Sequence, residues 1–283
     1  MPTFLKLLLG NILAQSEISK LTSSFDIIGE IVILKIPEPL YDKKCRIGRA
    51  ILDNLKPVRS IYMQTSPVAG DHRIRNLELI AGEDNPLTVY KEHGCRFMVD
   101  VEHTYFSPRL STERLRIARL ADDNEIVTNM FAGVGTFSII LCKFRNIKKV
   151  YNVDINQIAD KLSIYNSRLN KMGDRIECFC GDAKEIIGSL IRGKSNRVLM
   201  PLPEKGLLFV KSAVESLEDR EGTIHYFLHV KANSKKLAVE VGRLETDYAF
   251  REYPHEILFL HVVREVGPRI YQMVSDVRIK KRR

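Results

Sequence analysis

Cysteine is scarce in this 283-residue chain. The five present, Cys45, Cys95, Cys142, Cys178 and Cys180, are odd in number and contain no CxxC pair. That argues against a disulfide framework or a thiolate zinc site and points to a reducing cytoplasm. Long apolar runs are missing as well. None approaches the ~20 residues needed to span a bilayer, so no membrane partner is expected. The N-terminal FLKLLLGNIL is interrupted by Lys6, Gly10 and Asn11 and lacks a small-residue cleavage site, so it reads as an amphipathic helix rather than an export signal. The histidines at 72, 93, 103, 225, 229, 255 and 261 show no metal-ligand spacing, and no metal is expected. There is no repeat and no low-complexity segment. Positive charge is what the chain has in excess: 44 Lys and Arg against 35 Asp and Glu, a net charge of +9. The surplus suits an acidic partner, most simply nucleic acid, and suits a generally basic enzyme equally well.

The pattern changes along the chain. Residues 4–22 read as a helix. IIGEIVILKIP (27–37) alternates and is β-branched, which predicts one strand ended by Pro37 and Pro39. A helix over 43–54 and strands at SIYMQT, LELIAGE, LTVYKEHG and CRFMVDV complete a small α+β unit. The expected divisions are a helical segment 1–24, an auxiliary, RNA-binding α+β domain 25–102 and a larger domain 103–283. In the larger domain a helix over 107–120 precedes alternating strands and helices: strands at 125–131, 149–154, 175–180, 197–202 and 223–230, helices at 136–145, 156–171, 183–192, 204–218 and 233–245. EILFLHVVREV and IYQMVSDVRIK then form a hairpin about Gly267-Pro268. Repeated βα units imply a doubly wound, mostly parallel sheet, α/β in class. Closed by an antiparallel hairpin, it resembles the Rossmann-like methyltransferase domains.

Ligands of such sheets bind beyond the carboxyl ends of the strands. There the chain reads TNMFAGVGTFSII (128–140), a strand running into Gly133-x-Gly135 and then a helix. The dinucleotide fingerprint has a third glycine where this chain has Ser138. Strand two ends in VDIN, which puts Asp154 at its tip, where a carboxylate can accept both ribose hydroxyls. Strand three ends in GDA, so Asp182 and the Ala183 amide can meet an adenine edge. Alternatively, the glycines make a tight turn and Asp182 is a helix N-cap. The three tips together suit adenosine without a diphosphate, S-adenosylmethionine, ahead of NAD.

SFDIIGEIVILKIP, GDHRIRNLEL, TYFSPRLSTERLR, NMFAGVGTFSI, VDIN, MPLPEK and GPRIYQMVSDVRI, in that order, resemble the archaeal and eukaryotic tRNA (guanine37-N1)-methyltransferases over roughly residues 20–283. FSPRLSTER and FAGVGTFSI are the most specific of these. A related aminocarboxypropyl transferase of wyosine biosynthesis shares most of the motifs. The resemblance implies methyl transfer from S-adenosylmethionine to N1 of the guanosine just 3′ of the anticodon, by a cytoplasmic monomer that binds the tRNA anticodon arm. It makes Glu113 the base that removes the N1 proton, although alone this residue reads as a helix-surface carboxylate paired with Arg116 or Arg109. Arg73 becomes the donor to O6; by itself it reads as a phosphate contact or a surface charge, with Arg75 as competitor. Tyr105, Arg114, Phe131, Gly133, Gly135, Asp154, Ile155, Asp182, Ala183 and Pro201 fall to the cofactor, and Arg109, Leu202 and Pro203 to the substrate.

Two positions depart from that family. Its strand-four tip is usually Asn-Leu-Pro or Asn-Pro-Pro, and here it is Pro201-Leu202-Pro203. Proline offers neither an amide side chain nor an N–H, so one bond to the base has to come from elsewhere. Asn129 stands where strand one commonly carries Asp. These departures keep open a wyosine-pathway transferase and an inactive tRNA-binding homologue.

Overall fold

The computed structural model describes residues 5, 7–10, 12–21 and 25–281. The chain divides into two compact units, one through Arg109 and one from Leu110.

The first unit holds a four-stranded sheet in the order β1-β2-β3-β4, from β1 (Phe25–Ile28), β2 (Ile31–Leu34), β3 (Ser60–Gln64) and β4 (Leu77–Gly82). A separate hairpin is formed by β5 (Leu87–Glu92) and β6 (Cys95–Asp100). The single strand expected over 27–37 is two antiparallel strands. Gly29 breaks it: its φ of +58° turns the chain, and a Cβ there would stand 2.6 Å from the carbonyl oxygen of Val89. Nor are residues 4–22 one helix. Among the described residues, turns at Leu9–Gly10 and Ile12–Leu13 precede a short helix α1 (Gln15–Ile18); residues 4, 6, 11 and 22 of that expectation lie outside the description. Glycine's cost within a helix accounts for the break at Gly10. Leu5, Leu9, Leu13, Ile18 and Leu21 still share one apolar core with β2, β3 and the helix α2 (Lys44–Asn54), which carries the crossover between them.

The second unit is built on seven strands in the order β12-β13-β11-β10-β7-β8-β9. The strands β7 (Ile126–Asn129), β8 (Lys149–Asp154), β9 (Ile176–Cys180), β10 (Arg197–Met200) and β11 (Gly222–Lys231) run parallel. β12 (His255–Gly267) and β13 (Ile270–Ile279) close it as the expected antiparallel hairpin. Among these, β10 and β11 are buried throughout or nearly so, as central parallel strands must be. The helices α3 (Ser111–Leu120), α4 (Thr136–Phe144), α5 (Gln157–Leu169), α6 (Ala183–Ile186), α7 (Val210–Ser216) and α8 (Lys235–Phe250) belong to this unit. The chain leaves β7 toward β8 and β9, then returns to lay β10 on the other side of β7, a topological switch point.

Candidate functional site

The three predicted tips cap the adjacent strands β7, β8 and β9, with the β7 tip at the switch point. Gly133 and Gly135 have φ of +55° and +84°, and Gly135 is the left-handed N-cap of α4. A Cβ on Gly135 would stand 2.7 Å from Ser163 Oγ. The Gly133 amide donates to Asp154 Oδ2 at 2.6 Å, which ties the glycine turn to the tip of β8. Asp154 Oδ1 accepts from the Asn156 amide at 2.9 Å. Next to it Ile155 is an exposed apolar side chain. Phe131 packs edge-on against Phe209, ring centroids 4.9 Å apart. Asp182 does cap a helix: Oδ1 accepts from Lys184 N at 2.7 Å and Glu185 N at 3.4 Å, and Ala183 is the first residue of α6.

Beneath the turn runs a buried chain of neutral polar groups. Asn129 Nδ2 donates to Ser138 Oγ at 3.0 Å, Ser138 donates to Asn152 Oδ1, and Asn152 Nδ2 donates to Ser163 Oγ at 2.9 Å. Ser138 occupies the third glycine position of a dinucleotide fingerprint, and its hydroxyl serves this chain instead. Asn129 Oδ1 is buried without a hydrogen-bond partner, an acceptor left over at the end of β7. A cradle of two left-handed glycines, a carboxylate at the second tip and apolar side chains beside it fits an adenine nucleoside without a pyrophosphate.

Glu113 opens helix α3 and is not the surface carboxylate its position alone would imply: it is 4 % exposed. Arg116 donates to its Oε1 twice, from Nε at 2.9 Å and Nη2 at 2.6 Å. His261 Nε2, on β12, is 3.1 Å from Oε2. Burial pushes the Glu113 carboxyl up, but the hydrogen bonds from His261 and Arg116 and the Arg116 charge outweigh it and hold the group below the ordinary carboxylate value.

The arrangement continues inward. Arg116 Nη1 donates to Asp276 Oδ2 at 2.6 Å, and Asp276 Oδ1 meets His225 Nδ1 at 2.6 Å. His225 Nε2 lies 2.8 Å from Arg197 Nη1, and Arg197 also grips Glu125 at 2.6 and 2.9 Å. Arginine has no acceptor, so His225 Nε2 must accept and Nδ1 must carry the proton given to Asp276. His225 is therefore neutral, consistent with burial lowering its pKa. The formal charges alternate from Glu125 to Glu113. Sequence reading missed His261, Asp276, His225 and Arg197. The available signal was ionisable residues inside otherwise apolar strands, as in GTIHYFLHV and IYQMVSDVRI.

Arg114, beside Glu113, is also buried, its guanidinium 5.9 Å from the Phe137 ring centroid. After β10, Leu202 and Pro203 are buried and Pro201 is partly so, with the Leu202 amide bonded back to the Met200 carbonyl at 2.9 Å. The other predicted residues belong to the first unit. Arg73 has a φ of +52°, a strained value for arginine, in a turn closed by its amide on the Gly70 carbonyl at 3.2 Å. Its guanidinium lies 4.0 Å above the ring of Tyr105, which is half-buried and not a core tyrosine. Arg75 donates to Gln64 Oε1 at 3.3 Å, and burial lowers its pKa. Arg109 Nε binds Asp26 Oδ1 at 2.7 Å, so Glu113 pairs with Arg116 and not with it.

The family model of the TRM5/TYW2 methyltransferase domain matches residues 88–249, more than half of the chain. The chain belongs to the TRM5/TYW2 methyltransferase family. A model of the TYW2 N-terminal domain matches residues 5–85. Among relatives, the tRNA (guanine(37)-N(1))-methyltransferase Trm5b of Pyrococcus abyssi is 36% identical over 92% of this chain and 76% of its own length. The tRNA 4-demethylwyosine(37)-methyltransferase Taw21 of Saccharolobus solfataricus is 31% identical, over 97% of this chain and 99% of its own. A crystal structure of Methanocaldococcus jannaschii Trm5 in complex with adenosine aligns with a TM-score of 0.77 at 34% identity, covering 93% of this chain and 76% of that one. No helix among the described residues is long and apolar enough to cross a membrane.

Proposed function

We propose that this chain transfers the methyl group of S-adenosylmethionine to N1 of guanosine 37 in tRNA. The observation that carries this reading is the buried Glu113 carboxylate, held ionised at the start of α3 in the same unit as a nucleoside cradle. The Trm5b relative is named for this reaction.

When bound, the sulfonium donor supplies an activated methyl group for displacement by a nitrogen nucleophile. The turn at Gly133 and Gly135, with Asp154, Ile155, Phe131, Asp182 and Ala183, holds its nucleoside, and Tyr105, Arg114 and Pro201 complete its site. N1 of guanine carries a proton and is a poor nucleophile until that proton leaves. Glu113 takes it on Oε2, because Arg116 already fills Oε1 with two N–H donors. Arg73 donates to O6, where charge builds as N1 is deprotonated, and stacking on Tyr105 fixes its fork. Attack on the base edge needs the nucleotide out of its stack, with Arg109 and the Leu202-Pro203 loop receiving it. The first unit serves as the auxiliary RNA-binding domain on the anticodon arm, and the protein works as a cytoplasmic monomer.

A second reading is a wyosine-pathway transferase. The TYW2-type match over 5–85 favours it. Mass spectrometry of nucleosides from tRNA reacted with donor labelled in either chain separates the two. Label in a methyl group on guanosine supports the first reading; label in a tricyclic base supports the second. Binding without transfer sinks both and leaves an inactive tRNA-binding protein. In the same assay Glu113→Gln is expected to slow the chemical step by about 10²–10⁴-fold with tRNA affinity retained.

A further inference from the structure

We propose that His261 is a positioning residue for Glu113, holding Oε2 in place through its Nε2–H and thereby setting the pH range over which that carboxylate works as a base. The inference rests on the reading of Glu113 as the base.

The geometry begins with a β-bulge. β12 pairs with β13 so that Ile257 faces Val277 and Phe259 faces Asp276, leaving Leu258 as the extra residue. One inserted residue reverses which side chains point to which face. Two further irregularities, at Val263 and Val266, lie between His261 and the hairpin turn; counted from the Ile257–Val277 pair, Leu258 would stand opposite Asp276 without this first bulge. With it, His225, Asp276 and Phe259 form one cross-strand row, and His261, two residues on, shares their face. The Phe259 ring lies under Arg116 at 5.3 Å and against the His261 ring at 4.9 Å, which fixes the imidazole from one side.

His261 Nε2 then meets the oxygen that Arg116 leaves alone. The other ring nitrogen, Nδ1, is buried and has no hydrogen-bond partner. A proton arriving on Glu113 therefore has no exit through Nδ1, and the ring acts as a fixed donor rather than a relay. With one Oε2 lone pair held by His261, the second is left for the N1 proton of the base. The groups that face Glu113 are Arg116 on its own helix and His261 on β12. Asp276 on β13 acts through Arg116, and His225 on β11 lies behind Asp276. His261 and Arg116 both favour the ionised carboxylate against the cost of burial, so removing His261 leaves the burial cost less opposed.

The test compares single-turnover methyl transfer by the full chain across pH for the wild type, His261→Phe, His261→Asn, His261→Gln and Glu113→Gln, with donor and tRNA affinities measured alongside. Dividing each variant's rate by the wild-type rate cancels titrations common to both. The Phe and Asn variants, which lack a donor at the Nε2 position, are expected to lose rate selectively on the acid side. Their limbs should move up by about one pH unit, with substrate affinities unchanged. The Gln variant, whose amide reaches the same place, is expected to restore the wild-type profile. Two different side chains without a donor at that position guard against a simple folding defect. Flat ratios for both, with Glu113→Gln inactive, would overturn the role of His261 and leave Glu113 as the base. Full activity in Glu113→Gln would overturn the base assignment and this inference with it.

Discussion

Arg116 Nη1 and Asp276 Oδ2 stand 2.6 Å apart, a bond between the first helix of the second unit and its last strand, 160 residues later. Both side chains are mostly removed from water, at 23% and 5% exposure. Asp276→Asn would remove the negative charge that Arg116 and His225 share. Breaking one side of a buried pair costs about 3–5 kcal/mol, because the partner charge stays buried. Urea unfolding of Asp276→Asn should register a loss of that order.

The same carboxylate predicts an acid limit to stability. Burial pushes the Asp276 carboxyl up, but hydrogen bonds from His225 and Arg116 win and hold it well below its ordinary value; Glu113 is lowered in the same sense. A depressed native value means the unfolded chain binds more protons in acid, so this stabilisation is complete above the unfolded carboxylate values near ~4 and is lost as pH falls through them toward the native ones. Unfolding free energies measured from neutral pH downward should drop below about pH 4.5. Asp276→Asn should show a shallower drop.

Gly135→Ala should act on the cradle. The residue sits at φ +84°, and its new Cβ would press on Ser163 Oγ, which Asn152 holds. Strain of this kind costs about 1–3 kcal/mol. A lower thermal midpoint and weaker binding of S-adenosylmethionine by equilibrium dialysis are expected, with tRNA binding retained.

Arg73→Lys tests whether O6 needs a planar fork. Lysine keeps the charge but loses the bidentate geometry and the stacking on Tyr105. The expected result is a fall in turnover of about 10²-fold, as for loss of one transition-state donor. Binding of tRNA measured by filter retention should change little.

The tips of β7, β8 and β9 were legible in the sequence because each depends on neighbours in the chain. A glycine turn after an apolar strand, a carboxylate at a strand end and an Asp before a helix are local patterns, and the structure brings the three strands side by side. The closing hairpin was equally legible from its two apolar runs and Gly267-Pro268. The strand expected over 27–37 was not, since alternation continues across Gly29 while the backbone reverses there.

By itself the sequence determined the alternation of strands and helices, the glycine turn and a helix carrying Glu113, expected from 107 but starting at Ser111 after a 3-10 turn over Pro108–Leu110, all settled by short-range sterics and hydrophobic periodicity. Only the tertiary structure decided that Glu113 is buried, that Arg116 rather than Arg109 holds it, and that His261 reaches its second oxygen. The last of these depends on the register of β12 against β13, which is interrupted at Leu258, Val263 and Val266, and register is a property of paired strands that neither strand carries alone.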